Sequence, residues 1–225
     1  MFQINPLPPQ IPETTIRRLE QVETATVGHF LHSQFADNRL RAVLADKRVA
    51  GTAVTLRIPG ADSTLLHHVL ALVRPGDFLV IDRGGDTKHA CWGGVVTNAA
   101  RLAGVAGAVI DGPATDFNEI RRCDMPVWCT GPAPITTKLL GLEGAFNVPV
   151  SVGGQAVEPG DAVLADESGV LFLKPDQCLA VAERAIAMQE RELTVLERLR
   201  NGEKLPDITG ASEKVAAGMR SLAAE

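Results

Sequence analysis

The chain has no surplus of positive charge. Its 22 Lys and Arg stand against 27 Asp and Glu, a formal net charge of −5. No basic cluster offsets that balance, which argues against a nucleic-acid-binding surface. No apolar run approaches the ~20 residues that cross a bilayer, so no membrane span is expected. The opening residues, MFQINPLPPQ, lack a positive segment followed by an apolar one, so they are not read as a secretory signal. The four cysteines, Cys91, Cys123, Cys129 and Cys178, form no C-x-x-C pair, which argues against a zinc site or a dithiol redox motif. They are read as free thiols of a cytoplasmic protein. Internal repeats and low-complexity blocks are missing too. What is present is ordinary for a globular protein: 225 residues, 45% hydrophobic and 22% charged, enough for a sizeable core.

Taken in order, residues 5–12 are proline-rich and extended. Pro12-Glu13-Thr14 opens a helix through about Glu23, with Ile16, Leu19 and Val22 at helical spacing. Thr24 or Thr26 caps a second helix. His29 and His32 fall three apart there, but no third ligand accompanies them, so they read as surface histidines. Gly51–Ile58 alternates as a strand. Asp62 or Ser63 caps a helix through Val73, and a turn at Pro75-Gly76 leads into a strand over Phe78–Ile81. A further strand covers Ala108–Asp111, a helix runs to about Cys123, and another strand covers Pro126–Cys129. Alternating strands and helices indicate an α/β layered core. Beyond a long loop starting at Thr130, short strands at 148–152, 155–157, 162–165 and 170–173 are separated by tight turns. Pro175-Asp176 opens a long amphipathic helix that Asn201-Gly202 ends. One domain is therefore expected over 1–202, with a helical N-terminal arm, and a polar, Ala-rich tail over 203–225.

One stretch concentrates the chemistry, GGDTKHACWGGVVTNAARLAGVAGAVIDGPATDFNE. A glycine-rich loop leads into a small-residue helix over about His89–Gly104, then a short strand, a Gly112-Pro113 turn, Asp116 and Glu119. A helix N-terminus can hold an anion, and carboxylates beyond a strand end can hold a hard cation such as magnesium. Each half has a plainer explanation: close packing for the glycines, helix-dipole compensation for the acids. The spacing between the halves favours a site. Cys91 with His89 as its base is a further nucleophile candidate, set against the commoner role of a small buried cysteine.

The order and spacing of VAGTAVTL, RPGDFLVID, GGVVTNAARLAGVAGAVIDG, FNVPVSVGGQAVEPGDAVLADESGV and the closing helix resemble the RraA-like family. That family includes regulator of ribonuclease activity A and class II pyruvate aldolases acting on 4-hydroxy-4-methyl-2-oxoglutarate and related acids. The resemblance covers residues 51–202. It implies a β/β/α swivelling-type domain, and a homotrimer or a hexamer of two trimers with sites between subunits.

Aldolase members carry a glycine, twenty residues, Arg-Asp, two residues and an acid. Here the glycine is Gly94 and the acids are Asp116 and Glu119, while Thr115 stands in the place of the arginine. The resemblance implies that Gly93, Gly94, Val95 and Val96 hold a substrate carboxylate through backbone amides. Val95 replaces an acid common in the family. Asp116 is expected to anchor Mg2+ or Mn2+, and Glu119 to orient water beside that cation. An arginine grips a carboxylate with two charge-assisted bonds and threonine offers one neutral bond, so another cation is sought. Lys88 in the loop is the first candidate and Arg121 the second. The function expected is a metal-dependent lyase, of aldolase or oxaloacetate decarboxylase type, on a small oxo or hydroxy acid. A non-catalytic regulatory protein, or a metal-dependent enzyme on a different substrate, is the alternative.

Overall fold

The structure, a computed structural model, describes residues 1–222, with side chains described through Met219. The chain divides into two compact units, Met1–Ala182 and Glu183–Glu225.

The first unit is built on one mixed sheet. Strands β1 (Phe2–Ile4), β2 (Arg41–Ala42), β3 (Val49–Arg57), β4 (Asp77–Asp82), β5 (Gly107–Ile110), β6 (Val127–Cys129) and β7 (Gly144–Phe146) lie in the order β1-β7-β3-β4-β5-β6-β2. Helices α1 (Glu13–Leu19) and α2 (Thr24–Gly28) precede β2. The four central strands β3 to β6 run parallel. Their crossovers carry α3 (Thr64–Val69), α4 (Gly94–Leu102) and α5 (Phe117–Arg122). Parallel strands covered on both faces read as continuous apolar runs, and β4 and β5 do so.

Alternation decides which layer each side chain enters. On β4, Leu79 and Ile81 pack in the same cluster as Leu65 and Leu66 of α3 and Ala100 of α4. Phe78 and Val80 point the other way. There they meet the hairpin of β8 (Val150–Val152) with β9 (Gln155–Val157), and that of β10 (Ala162–Ala165) with β11 (Val170–Leu173). The layers are thus hairpins, sheet and helices. Strand β3 is long enough to be shared: its first residues pair β10, its last pair β7.

The turn-punctuated strands after 148 stand where the sequence put them. Three expectations shift. The first helix stops at Leu19, because Val22 donates back to the Leu19 carbonyl and closes a turn. The central helix starts at Gly94, five residues or so later than expected, for reasons given below. Strands β1 and β7 were not expected; they pair with each other in parallel across the length of the unit. The start of the N-terminal arm therefore lies on its own chain. Gln10 bonds Asp77, the Ile11 N–H reaches the Thr52 hydroxyl, and Arg74 reaches the Pro8 carbonyl.

In the second unit, the long helix α6 (Cys178–Arg200) continues through its boundary and is followed by α7 (Leu205–Thr209) and α8 (Ala211–Leu222). The expected tail is helical as far as it is described; residues 223–225 lie outside. No helix among the described residues is long and apolar enough to cross a membrane.

Candidate active site

The loop between β4 and α4 is fixed by a buried cation. Arg83 has no exposed surface, and its guanidinium donates to the carbonyls of Ile58 and Gly60. It also reaches the Asp86 carboxylate at 3.3 Å. Asp86 in turn accepts the backbone N–H of Lys88 (2.8 Å) and of His89 (3.1 Å), and pairs with the His89 Nδ1 at 2.8 Å. Burial alone would raise the Asp86 pKa. The Lys88 N–H and the ring and N–H of His89 outweigh it and hold the carboxyl below its ordinary value. Ala90 then exchanges backbone bonds with Ile135 and Thr137. These long-range ties consume the backbone groups a helix would need, so residues 84–93 stay a loop and α4 begins at Gly94.

Across from Gly94 lies the turn that follows β5. Asp116 occupies the N-cap position of α5, yet its carboxylate makes no cap bond to that helix. Its backbone is left-handed, φ 54° and ψ 40°, a conformation that Asp adopts more readily than most residues but still at a cost of order 1 kcal/mol. Its Oδ2 instead accepts the N–H of Gly94 at 2.9 Å. The first-turn N–H groups of a helix have no intrahelical acceptor, so Asp116 ties together the starts of two helices. The Thr115 hydroxyl approaches Oδ1 at 3.5 Å, and the Thr115 N–H bonds the Trp92 carbonyl at 2.8 Å.

A side chain would be crowded at this seam. A Cβ on Gly93 would sit 2.8 Å from the Thr115 methyl and 2.9 Å from Asp116 Oδ2. A Cβ on Gly94 would come within 3.1 Å of the Glu119 Cγ. The acids close in on bare backbone.

Glu119 lies in the first turn of α5. It accepts from Asn98 Nδ2 at 3.3 Å and pairs with Arg122 at 2.9 Å. Gly94, Asp116, Phe117, Asn118, Glu119 and Arg122 line an open cleft of about 490 Å³. Of the expected site residues, Gly94, Asp116 and Glu119 thus come together on that cleft, with Gly93 and Thr115 against Asp116. Val95 is 78% exposed, while Val96 is buried in the core. Lys88 is exposed on the loop and is not among the cleft's lining residues. Arg121 lies over the Phe117 ring, 5.7 Å from its centroid. The cation that does line the cleft is Arg122, which the sequence reading passed over, as it did Asn98. Glu119 and Arg122 stand three apart on a helix, a spacing that puts them on one face and could have revealed the pair.

Cys91 is 4% exposed, and burial pushes its thiol up to about 11, so it holds its proton at neutral pH. His89 is engaged with Asp86. The pair does not form a nucleophile and base.

The acids can be tested against a divalent cation. Among the described residues no three His, Cys, Asp or Glu gather as a ligand cage. Asp116 accepts only one N–H and one distant hydroxyl, which leaves lone pairs to spare on a carboxylate that has about four. One carboxylate with a neighbouring acid suits a Mg2+ or Mn2+ that keeps most of its water, and does not suit a closed zinc site.

Comparisons with known proteins give the family of the chain and cover the residues of this cleft. The family model described as RraA-like, aldolase/RraA, matches residues 22–172. An uncharacterized protein of Methanocaldococcus jannaschii is 32% identical over 174 residues, covering 76% of this chain and 83% of its own. A protein of Halalkalibacterium halodurans named "Putative 4-hydroxy-4-methyl-2-oxoglutarate aldolase" is 33% identical, covering 61% of this chain and 65% of its own. Among solved structures, RraAS2 of Streptomyces coelicolor, described as an unusual member of the RNase ES inhibitor RraA protein family, superposes with a TM-score of 0.73. It is 29% identical and covers 85% of this chain and 98% of that one. With two helix starts tied at one glycine seam, and the matched region spanning both, the chain belongs to the RraA-like family.

Proposed function

We propose that the chain is a divalent-metal-dependent lyase, of aldolase or decarboxylase type, acting on a small oxo or hydroxy carboxylic acid. The observation that carries this reading is Asp116. It sits at a helix N-cap in a left-handed conformation and leaves that helix uncapped, with its carboxylate turned to the neighbouring helix start on the edge of a cleft. Backbone held off its ordinary minimum at a cleft is a mark of function.

A bound Mg2+ or Mn2+ would polarise the keto oxygen and offset the charge of an enolate formed when a C–C bond breaks. Asp116 is the residue that would hold it. Glu119, fixed by Asn98 and Arg122, is placed to orient a water or carry its proton. The first amides of α4 not already taken by Asp116, at Val95 and Val96, offer the positive end of a helix to a substrate carboxylate. Gly93 keeps the approach clear of side chains.

The test is pyruvate release from oxaloacetate and 4-hydroxy-4-methyl-2-oxoglutarate. Turnover that needs Mg2+ or Mn2+ and stops with chelator supports the proposal; no turnover across such a panel with either metal would remove it. One feature favours a second reading. With Thr115 in place of a guanidinium beside Asp116, a regulatory binding protein is the alternative, in line with relatives described as RNase ES and RNA-processing inhibitors.

A homotrimer or a dimer of trimers, in the cytoplasm, is part of the same proposal. Exposed Phe2, Ile4, Leu139, Leu140 and Leu142 on the first unit support an interface between copies. Light scattering at micromolar concentration should give at least three chain masses, and a monomer would contradict it.

A further inference from the structure

We infer that Arg122 is the specificity-determining cation of this cleft, the group that receives the carboxylate of the substrate. The inference rests on the proposed function and adds a residue to it. Asp116 and Glu119 bring two negative charges to the cleft lining, and Arg122 is the one cation among the residues that line it. Without Arg122 those charges oppose an anionic substrate. With it, and with a divalent cation at Asp116, the lining becomes net positive and attracts one.

Geometry supports the assignment. Arg122 is the last residue of α5, six positions after Asp116, so it stands about 9 Å along the helix axis at 1.5 Å per residue. An extended arginine side chain covers most of that distance. Its guanidinium forms an ion pair with Glu119 at 2.9 Å, while its side chain is 74% exposed. The fork has five N–H donors and one such contact occupies few of them. An exposed pair spaced three apart contributes little to stability, so holding the fold does not account for the residue. The contact does aim the fork along the cleft wall, next to the acid assigned to the chemistry. Arg121 provides an internal contrast, since its cation is spent on the Phe117 ring and on Asn118.

The probe is oxalate, a planar dianion shaped like the enolate of a 2-oxo acid, titrated by calorimetry into the Mn2+-loaded protein. Wild type should bind it. Arg122→Gln should weaken binding about ten- to a hundredfold, the loss of a hydrogen bond between charged groups. Arg121→Gln, the same change of charge one residue away, should alter it less than about threefold. Arg122→Lys should recover part of the loss, and Glu119→Gln should tighten binding by freeing the fork. Equal weakening by Arg121→Gln and Arg122→Gln would overturn the inference, because general charge would then explain it. Wild-type affinity in Arg122→Gln would also overturn it and leave the proposed function standing. Failure of the Mn2+-loaded wild type to bind oxalate would remove both.

Discussion

Two aspartates differ in how fully the protein satisfies them. Asp62, at the start of α3, is 2% exposed. It accepts four bonds, from the N–H and hydroxyl of Thr64 and from the N–H groups of Leu140 and Leu142. It knots a remote loop to a helix start. Asp116 accepts one N–H at 2.9 Å and one hydroxyl at 3.5 Å, and its backbone is left-handed. A saturated carboxylate contributes to folding and has nothing left to bind. An under-saturated one beside a cleft keeps lone pairs clear of protein donors, and the rest of the fold holds it against its own backbone preference.

Removing the charge on the open side should have the largest effect. Asp116→Asn keeps the size and the left-handed tolerance of the residue. It should lower metal-dependent turnover by at least about a hundredfold, the scale of losing one transition-state stabilising group. Thermal unfolding should move by only a few degrees. Full Mn2+ affinity in this variant, by calorimetry, would show that Asp116 belongs with Asp62.

The saturated side should respond in the opposite way. Asp62→Ala leaves the N–H groups of Thr64, Leu140 and Leu142 without their acceptor, and should cost about 3 kcal/mol of unfolding free energy in urea. The cleft chemistry of the remaining folded protein should be unchanged. The pH dependence has a definite sign. Burial would raise the Asp62 pKa, but bonds from Thr64, Leu142 and Leu140 hold it well below the carboxylate range. A depressed folded pKa gives stability that is present above the unfolded value, near 4, and lost as pH falls toward the folded one. Stability of the wild type should decline in that acid window, and the decline should be shallower in Asp62→Ala.

Between these lies the glycine seam. Gly93→Ala sets a methyl against Thr115 and Asp116 and should weaken Mn2+ binding about tenfold, at a cost of about 1–3 kcal/mol in stability. Unchanged affinity would mean that the seam relaxes freely. The smallest effect is expected at the loop lysine. Lys88→Ala should change turnover less than about threefold, since Lys88 does not line the cleft. A loss as deep as that of Asp116→Asn would move the substrate cation from Arg122 to Lys88.

Much of this was legible in the chain. Short strands over 150–173 declare themselves because tight turns at Gly153-Gly154, Gly160 and Gly169 need positive φ, and glycine supplies it at each. The α/β alternation follows from apolar runs too short for anything but buried strands. Spacing to Gly94 singled out Asp116 and Glu119, which the fold brings onto one cleft with it. What the chain did not show is set by partners distant in sequence. Strands of three residues such as β1 and β7 carry too little pattern to announce themselves, and their pairing joins Phe2 to Gly144.

Sequence by itself determined the layers, the turns and the pair Asp116 and Glu119, because these rest on local periodicity and backbone preference. Tertiary structure alone decided three things. It held residues 84–93 out of the helix, through a buried Arg83 bonded to Ile58 and Gly60. It turned Asp116 away from its own helix toward Gly94. It also chose Arg122 over Lys88 and Arg121 as the cation of the cleft. Each depends on where a charge finds a partner in space, and a buried or cleft-lining charge takes whichever partner the packed chain brings within about 3 Å.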